Sequence, residues 1–196
     1  MTDFLRTFVA VKVKPSPALL HVMKDLQMAL SGEQVKWVEP NKLHLTLKFL
    51  GDTLPSQVDE TGEELNQVSK MFSPFSFQLE GLGFFKNKEM PRVLFANIQE
   101  VEVLQQLAAE IDNRLINLGF QPETRPFKPH LTLARIKFLK NKTAFYEEVE
   151  KYRQTFFQAV PINELVFYRS VLKPEGSKYQ PLGVFMLRSE ELNVNC

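Results

Sequence analysis

Two segments of the chain carry the same four residues, His44-Leu45-Thr46-Leu47 and His130-Leu131-Thr132-Leu133. Each has a lysine two places before its histidine, Lys42 and Lys128, so the shared pattern is Lys-x-His-Leu-Thr-Leu. It takes two of the three histidines in 196 residues. Read as β-strands, whose side chains alternate between faces, each copy presents an imidazole and a hydroxyl on one side and leucines on the other. The two polar groups then stand about 7 Å apart along the strand. Two such fronts turned toward one cleft would form an acid–base pair. Imidazole titrates near pH 6.5, so one ring can accept a proton from water while the other, charged, gives one to a leaving oxygen. The hydroxyls of Thr46 and Thr132 can donate to non-bridging phosphate oxygens without a metal. Between Glu123 and Lys142 stand Arg125, Lys128, Arg135, Lys137, Lys140 and Lys142, the most basic stretch of the chain, and it surrounds the second copy. This combination suits a phosphate diester.

Other arrangements compete for the same residues. Both copies could be edge strands whose His and Thr are solvated outer faces, a reading that the repetition weighs against. A zinc site would need one or two further ligands, and only Glu39 and Asp52 flank the first copy. No Gly-x-Ser-x-Gly is present and the sole cysteine, Cys196, is the last residue, so a serine or cysteine nucleophile has no support. The expectation is chemistry without a metal or cofactor. His21 sits in no motif and is expected at the surface.

The elements that must hold these residues follow from periodicity. Residues 5–13 alternate as a strand, with Thr7, Val9 and Val11 on one face and Phe8, Ala10 and Lys12 on the other. Ser16 before Pro17 reads as a helix N-cap, and Leu19, Leu20, Met23, Leu26 and Leu30 continue at helical spacing. A short apolar piece around Trp37 leads to the first motif strand, residues 43–50, closed by Gly51-Asp52. A polar helix over 55–71 follows. Two antiparallel strands, the first twisting or bulging at Gly81 and Gly83, are expected to join at a Lys86-Asn87-Lys88 tip. The second half reads as a helix over 101–118, a proline-punctuated loop, the second motif strand over 130–138, a helix over 142–157, and strands over 161–169 and 179–187. Each half is thus roughly strand, helix, motif strand, helix, strand. No linker rich in Gly and Ser separates them, which predicts one bilobal domain over residues 1–196.

Composition sets the outer bounds. Hydrophobic residues at 44% and charged ones at 24% are ordinary for a soluble globular protein, and a net charge of +1 argues against a broad nonspecific DNA-coating surface. With one cysteine no internal disulfide can form, and no leader or apolar run of about 20 residues is apparent. The expectation is a cytoplasmic monomer that does not enter membranes.

The paired His-Leu-Thr-Leu motifs resemble the His-x-Thr-x signatures of the 2H phosphoesterase superfamily, and their surroundings resemble its RNA 2′,3′-cyclic phosphodiesterases, also called 2′-5′ RNA ligases. The resemblance runs through Arg6-Thr7-Phe8-Val9-Ala10-Val11, through 42–51, through 125–135, and into 165–170 and 179–182. It implies a two-lobed α+β fold: antiparallel sheets related by a pseudo-two-fold repeat, outer helices, and a central cleft that takes one motif strand from each lobe. It also implies hydrolysis of RNA 2′,3′-cyclic phosphate ends, tRNA fragments among them, to 2′-phosphates, with reversible 2′-5′ ligation. By that resemblance His44 is the proton donor and His130 the proton acceptor. Thr46 and Thr132 would hold phosphate oxygens, with Arg135 as a further substrate contact. Strict alternation puts Arg135 on the face opposite His130, so it reaches the site only if the strand bulges or ends there. Tyr179 and Phe8 are stacking candidates whose simpler role is packing. The alternatives are an RNA-end or nucleotide-binding module, and a diesterase for another small cyclic phosphate.

Overall fold

The computed structural model describes residues 4–174 and 176–188, so Cys196 lies outside the described residues. Strand β1, Leu5–Lys12, buries Val9 and Val11 completely. Helix α1, Pro17–Ala29, starts as its sequence dictates: the Ser16 side chain accepts the Leu19 N–H at 3.1 Å, and Pro17 occupies the first turn. Its buried face is Leu19, Val22, Met23 and Leu26, recurring at three and four residues. Then come β2 (Gln34–Trp37), a single 3-10 turn (Pro40–Lys42), β3 (His44–Thr53), α2 (Gln57–Ser69), β4 (Phe75–Asn87) and β5 (Met90–Gln99). The chain continues through α3 (Glu102–Ile116), β6 (His130–Phe138), α4 (Lys142–Lys151), β7 (Phe156–Ile162), β8 (Glu164–Lys173) and β9 (Gly176–Met186).

The strands form two antiparallel sheets, ordered β3-β1-β8-β9 and β2-β6-β5-β4-β7. Reading inward from each motif strand, β3-β1-β8-β9 corresponds to β6-β5-β4-β7, and β2 is an addition outside β6. This is the expected α+β class and internal repeat. The lobes, however, are not the two halves of the chain. The first sheet takes β1 and β3 from the first half and β8 and β9 from the end, while β2 and β4 of the first half join the second sheet. Helices α2 and α3 cover the first sheet; α1 lies beside β7 and α4 beside β4 in the second. One continuous core joins residues of both sheets, from Val9 and Leu45 to Leu131 and Phe157.

Several boundaries differ from those that periodicity predicts. The helix expected over 142–157 ends at Lys151, because Phe156–Ile162 pairs along β4 and places Phe157, Val160 and Ile162 in the core. The strand expected over 161–169 is split at Asn163 between the two sheets. Pro161 is accommodated because β7 is an edge strand, where a missing N–H costs no ladder bond. Strand β3 does not stop at Gly51-Asp52 but runs to Thr53; Leu50 is skipped in the pairing with β1, and Gly51 absorbs the distortion at φ 73°. The β4–β5 tip is Lys88-Glu89, both with positive φ (45° and 55°), not residues 86–88.

Candidate active site

Motif strands β3 and β6 approach each other where the two sheets meet. Each is seated by leucines: Leu45, Leu131 and Leu133 are fully buried and Leu47 nearly so. Burial of each such side chain stabilises the fold by about 1.5–3 kcal/mol, so a one-residue slip of either strand is strongly disfavoured. That constraint turns His44 and Thr46 to the opposite face of β3, and His130 and Thr132 to the opposite face of β6, each half-buried.

The two imidazoles are held identically. His44 Nδ1 donates to the Lys42 carbonyl at 2.7 Å, and His130 Nδ1 donates to the Lys128 carbonyl at 2.8 Å. A carbonyl can only accept, so Nδ1 carries the proton and Nε2 holds the lone pair of the neutral ring. The Lys-x-His spacing therefore acts through the lysine backbone, to which each ring reaches back two residues and is fixed. Aromatic rings pack against both imidazoles. Phe8 and Tyr179 stand 5.1 Å and 5.0 Å from His44; Phe85 and Phe95 stand 4.8 Å and 5.2 Å from His130. Phe8 is 3% exposed, which makes it packing beneath His44 and not a platform for a ligand. Phe85 and Phe95 carry no sequence signal of their own, because their relation to His130 exists only through the pairing of β4, β5 and β6.

Arg135 shares the face of His130 because β6 bulges. Phe95 pairs with Thr132 and Leu94 with Ala134, so Leu133 is the extra residue and the alternation shifts by one. Ala134 then turns inward, fully buried, and Arg135 turns outward opposite Val93. The end of β2 supports the bulge, with Val38 N–H donating to the Leu133 carbonyl at 2.8 Å. Strand β3 bulges at the same place: Ala10 pairs with Thr46 and Val9 with Lys48, leaving Leu47 over. Lys48 turns inward and Phe49, the counterpart of Arg135, turns outward opposite Phe8.

Other residues singled out in the sequence lie apart. His21 is at the surface, 3.4 Å from Asp25 on the same helix. Trp37 packs against the core, and Glu39 pairs with Lys42 at 2.6 Å. Among the described residues no group of three or more His, Cys, Asp or Glu side chains is placed to hold a metal ion. A hollow of about 580 Å³, lined by Lys12, Lys14, Asn41, Asn163 and Glu164 among others, touches none of the five candidate site residues and is not the cleft between the motif strands.

The pattern of the LigT like Phosphoesterase family matches residues 11–95 and again residues 98–179, once around each motif. The chain belongs to this family. Among curated relatives of this LigT-like phosphoesterase, the RNA 2′,3′-cyclic phosphodiesterase of Archaeoglobus fulgidus is 36% identical over 92% of this chain and 99% of its own length. That of Aquifex aeolicus is 34% identical over 85% and 87%. A crystal structure of a Thermus thermophilus protein superimposes with a TM-score of 0.76 at 29% identity, covering 94% of this chain and 99% of that one. E. coli LigT complexed with 3′-AMP shares the fold, with a TM-score of 0.69 at 23% identity over 95% and 100%.

In this LigT-like phosphoesterase the two lobes act on each other electrostatically. Burial lowers the pKa of His44, the Lys42 carbonyl opposes that shift, and the Arg135 guanidinium on the other motif strand lowers it further. His44 thus holds its proton less tightly than an ordinary histidine. Arg135→Met is expected to raise the His44 titration midpoint, followed by NMR of the ring Cε1–H, while leaving it below about 6.5 because burial is the larger cause. A midpoint that stays put or falls would place Arg135 away from His44.

Proposed function

We propose that the chain hydrolyses RNA 2′,3′-cyclic phosphate ends to 2′-phosphates by two-histidine acid–base catalysis. One observation carries the reading: both motif imidazoles are anchored through Nδ1 to a carbonyl, leaving two matched Nε2 atoms on facing strands. The names of the relatives in Archaeoglobus and Aquifex support the substrate. Water attacks phosphorus in line with the P–O3′ bond, giving its proton to His130 Nε2, while His44 Nε2 protonates O3′ as that bond breaks. Phosphorus keeps O2′, so the product is a 2′-monoester, and the histidines finish with their protonation states exchanged. The depressed pKa of His44 makes its protonated form a smaller fraction at neutral pH, and that form gives its proton to O3′ more readily. Thr46 and Thr132 donate to the non-bridging oxygens, and Arg135 offsets their negative charge. With a ribose 5′-hydroxyl in place of water as the nucleophile, the same proton movements form a 2′-5′ linkage as P–O3′ breaks; run backward, they cleave it. Residues 1–196 act as one bilobal unit in this reading, as a monomer in the cytoplasm, with tRNA fragments among the substrates.

The test is turnover of a short RNA ending in a 2′,3′-cyclic phosphate, in EDTA, with the position of the product phosphate assigned. The expected result is undiminished turnover to a 2′-phosphate. A 3′-phosphate product, or activity abolished by EDTA and restored by a divalent ion, would overturn the reading.

A further inference from the structure

From His44 the face of the first sheet leads to the hollow of about 580 Å³, where β1 and β8 meet the end of β7. Lys12 is the β1 residue paired with His44, so the two side chains share a face with their Cβ atoms about 4.5–5.5 Å apart. Val13 is buried, and its N–H donates to the Leu43 carbonyl at 3.0 Å. Lys12 and Lys14 on either side of it therefore turn outward, and both line the hollow. The Gln158 side chain fixes this stretch by donating to the Lys14 carbonyl at 3.0 Å. Among the described residues neither ammonium forms an ion pair. Asn41, Asn163 and Glu164 supply further polar atoms, and Pro15, Pro40 and Met186 supply apolar surface. The volume falls in the range of roughly 300–1,000 Å³ common for small-molecule sites.

We infer that this hollow is the subsite for the nucleotide that precedes the cyclic end, with Lys12 and Lys14 on the phosphodiester joining the two. This rests on the reading that His44 protonates O3′. In an in-line displacement the leaving oxygen belongs to the ribose, so the terminal ribose lies on the side of the proton donor and water enters from the other side. The chain leaves that ribose through O5′, hence on the lobe of His44, where Lys12 is the adjacent cation. A lysine ammonium meets a phosphate oxygen as a point charge and needs no planar partner. The half-buried Glu164 carboxylate only accepts hydrogen bonds, and the donor that a ribonucleotide offers it is the 2′-hydroxyl. The proline and methionine surfaces are left for the base. The hollow thus favours a ribonucleotide chain over a lone nucleotide.

The experiment measures kcat/KM for three compounds: adenosine 2′,3′-cyclic phosphate, adenylyl-3′,5′-adenosine 2′,3′-cyclic phosphate, and that dinucleotide with 2′-deoxyribose at its first residue. The proteins are wild type, the double variant Lys12→Ala with Lys14→Ala, Glu164→Ala, and His44→Ala. Wild type is expected to prefer the ribodinucleotide over the mononucleotide by roughly 10-fold, through KM, and the double lysine variant to lose most of that preference. Glu164→Ala is expected to lose the preference for the ribodinucleotide over its deoxy counterpart. No preference for the ribodinucleotide in wild type, an undiminished one in the double lysine variant, or equal losses there on mononucleotide and dinucleotide would overturn the subsite. Equal use of the deoxy compound by wild type would overturn the Glu164 contact. If wild type hydrolyses none of the three, or His44→Ala hydrolyses them normally, the underlying reading fails and takes the subsite with it. Those results are seen in wild type and in His44→Ala as absolute rates, so they are distinguishable from a failure confined to the hollow.

Discussion

Alanine at His44 is expected to lower kcat/KM on an RNA 2′,3′-cyclic phosphate by about 10²–10⁴-fold, and alanine at His130 by a similar factor. Each ring's hydrogen bond goes to a backbone carbonyl, so neither substitution breaks a side-chain hydrogen bond. The loss therefore reports proton transfer more than packing. Because the two rings serve one displacement, the double variant should fall little further than the weaker single variant. Wild type should show a bell-shaped pH profile whose two apparent pKa values belong to the coupled pair, and each single variant should lose one limb. Steady-state kinetics across pH 5 to 9 (about the span in which histidine pairs titrate) checks this. Activity within a few fold of wild type in both variants would exclude the paired motif as the site.

Lys48→Met is expected to destabilise the fold by about 3 kcal/mol, measured by urea unfolding. Lys48 sits on the buried side of β3 and pairs with Asp112 of α3, with side chains 4% and 19% exposed. It also donates to the Gln121 carbonyl at 2.9 Å, while Asp112 accepts the Glu123 N–H at 3.1 Å. The pair thus ties the first motif strand to the start of the loop that delivers His130. Removing the cation leaves a carboxylate largely out of water, and the partial exposure of Asp112 keeps the cost at the lower end of the range for broken buried pairs. Adding Asp112→Asn should restore most of the loss, because the stranded charge is gone. Faster amide exchange at residues 121–129 should accompany the single variant. A stability change below about 0.5 kcal/mol would mean that the pair is solvated and contributes no more than an ordinary surface ion pair.

Much of this arrangement is visible in the residues themselves. Alternation in His-Leu-Thr-Leu separates leucines from polar groups, and burial of Leu45 and Leu131 keeps that separation in the folded chain. Ser16 and Pro17 mark the start of α1 because capping is local: the cap and the group it satisfies are three residues apart. Periodicity misleads at residues 152–157, where the pattern of apolar residues suits a longer helix in isolation but the chain leaves α4 after Lys151 and enters β7 at Phe156 to pair with β4. The β4–β5 tip falls at Lys88-Glu89 for a similar reason, since turn position follows the register of the flanking strands.

What the sequence determined by itself is the chemistry and its duplication: two histidines with identical neighbours, fixed to faces by nearest-neighbour alternation. What only the tertiary structure decided is which other side chains join them. Arg135 and Phe49 face the cleft because Leu133 and Leu47 are left over in pairings with β5 and β1, and a bulge depends on the partner strand as much as on its own residues. The interleaving of β2, β4, β8 and β9 between the sheets belongs to the same class. Faces and caps follow from contacts a few residues apart, whereas bulges and sheet membership follow from hydrogen bonds between residues far apart in the chain.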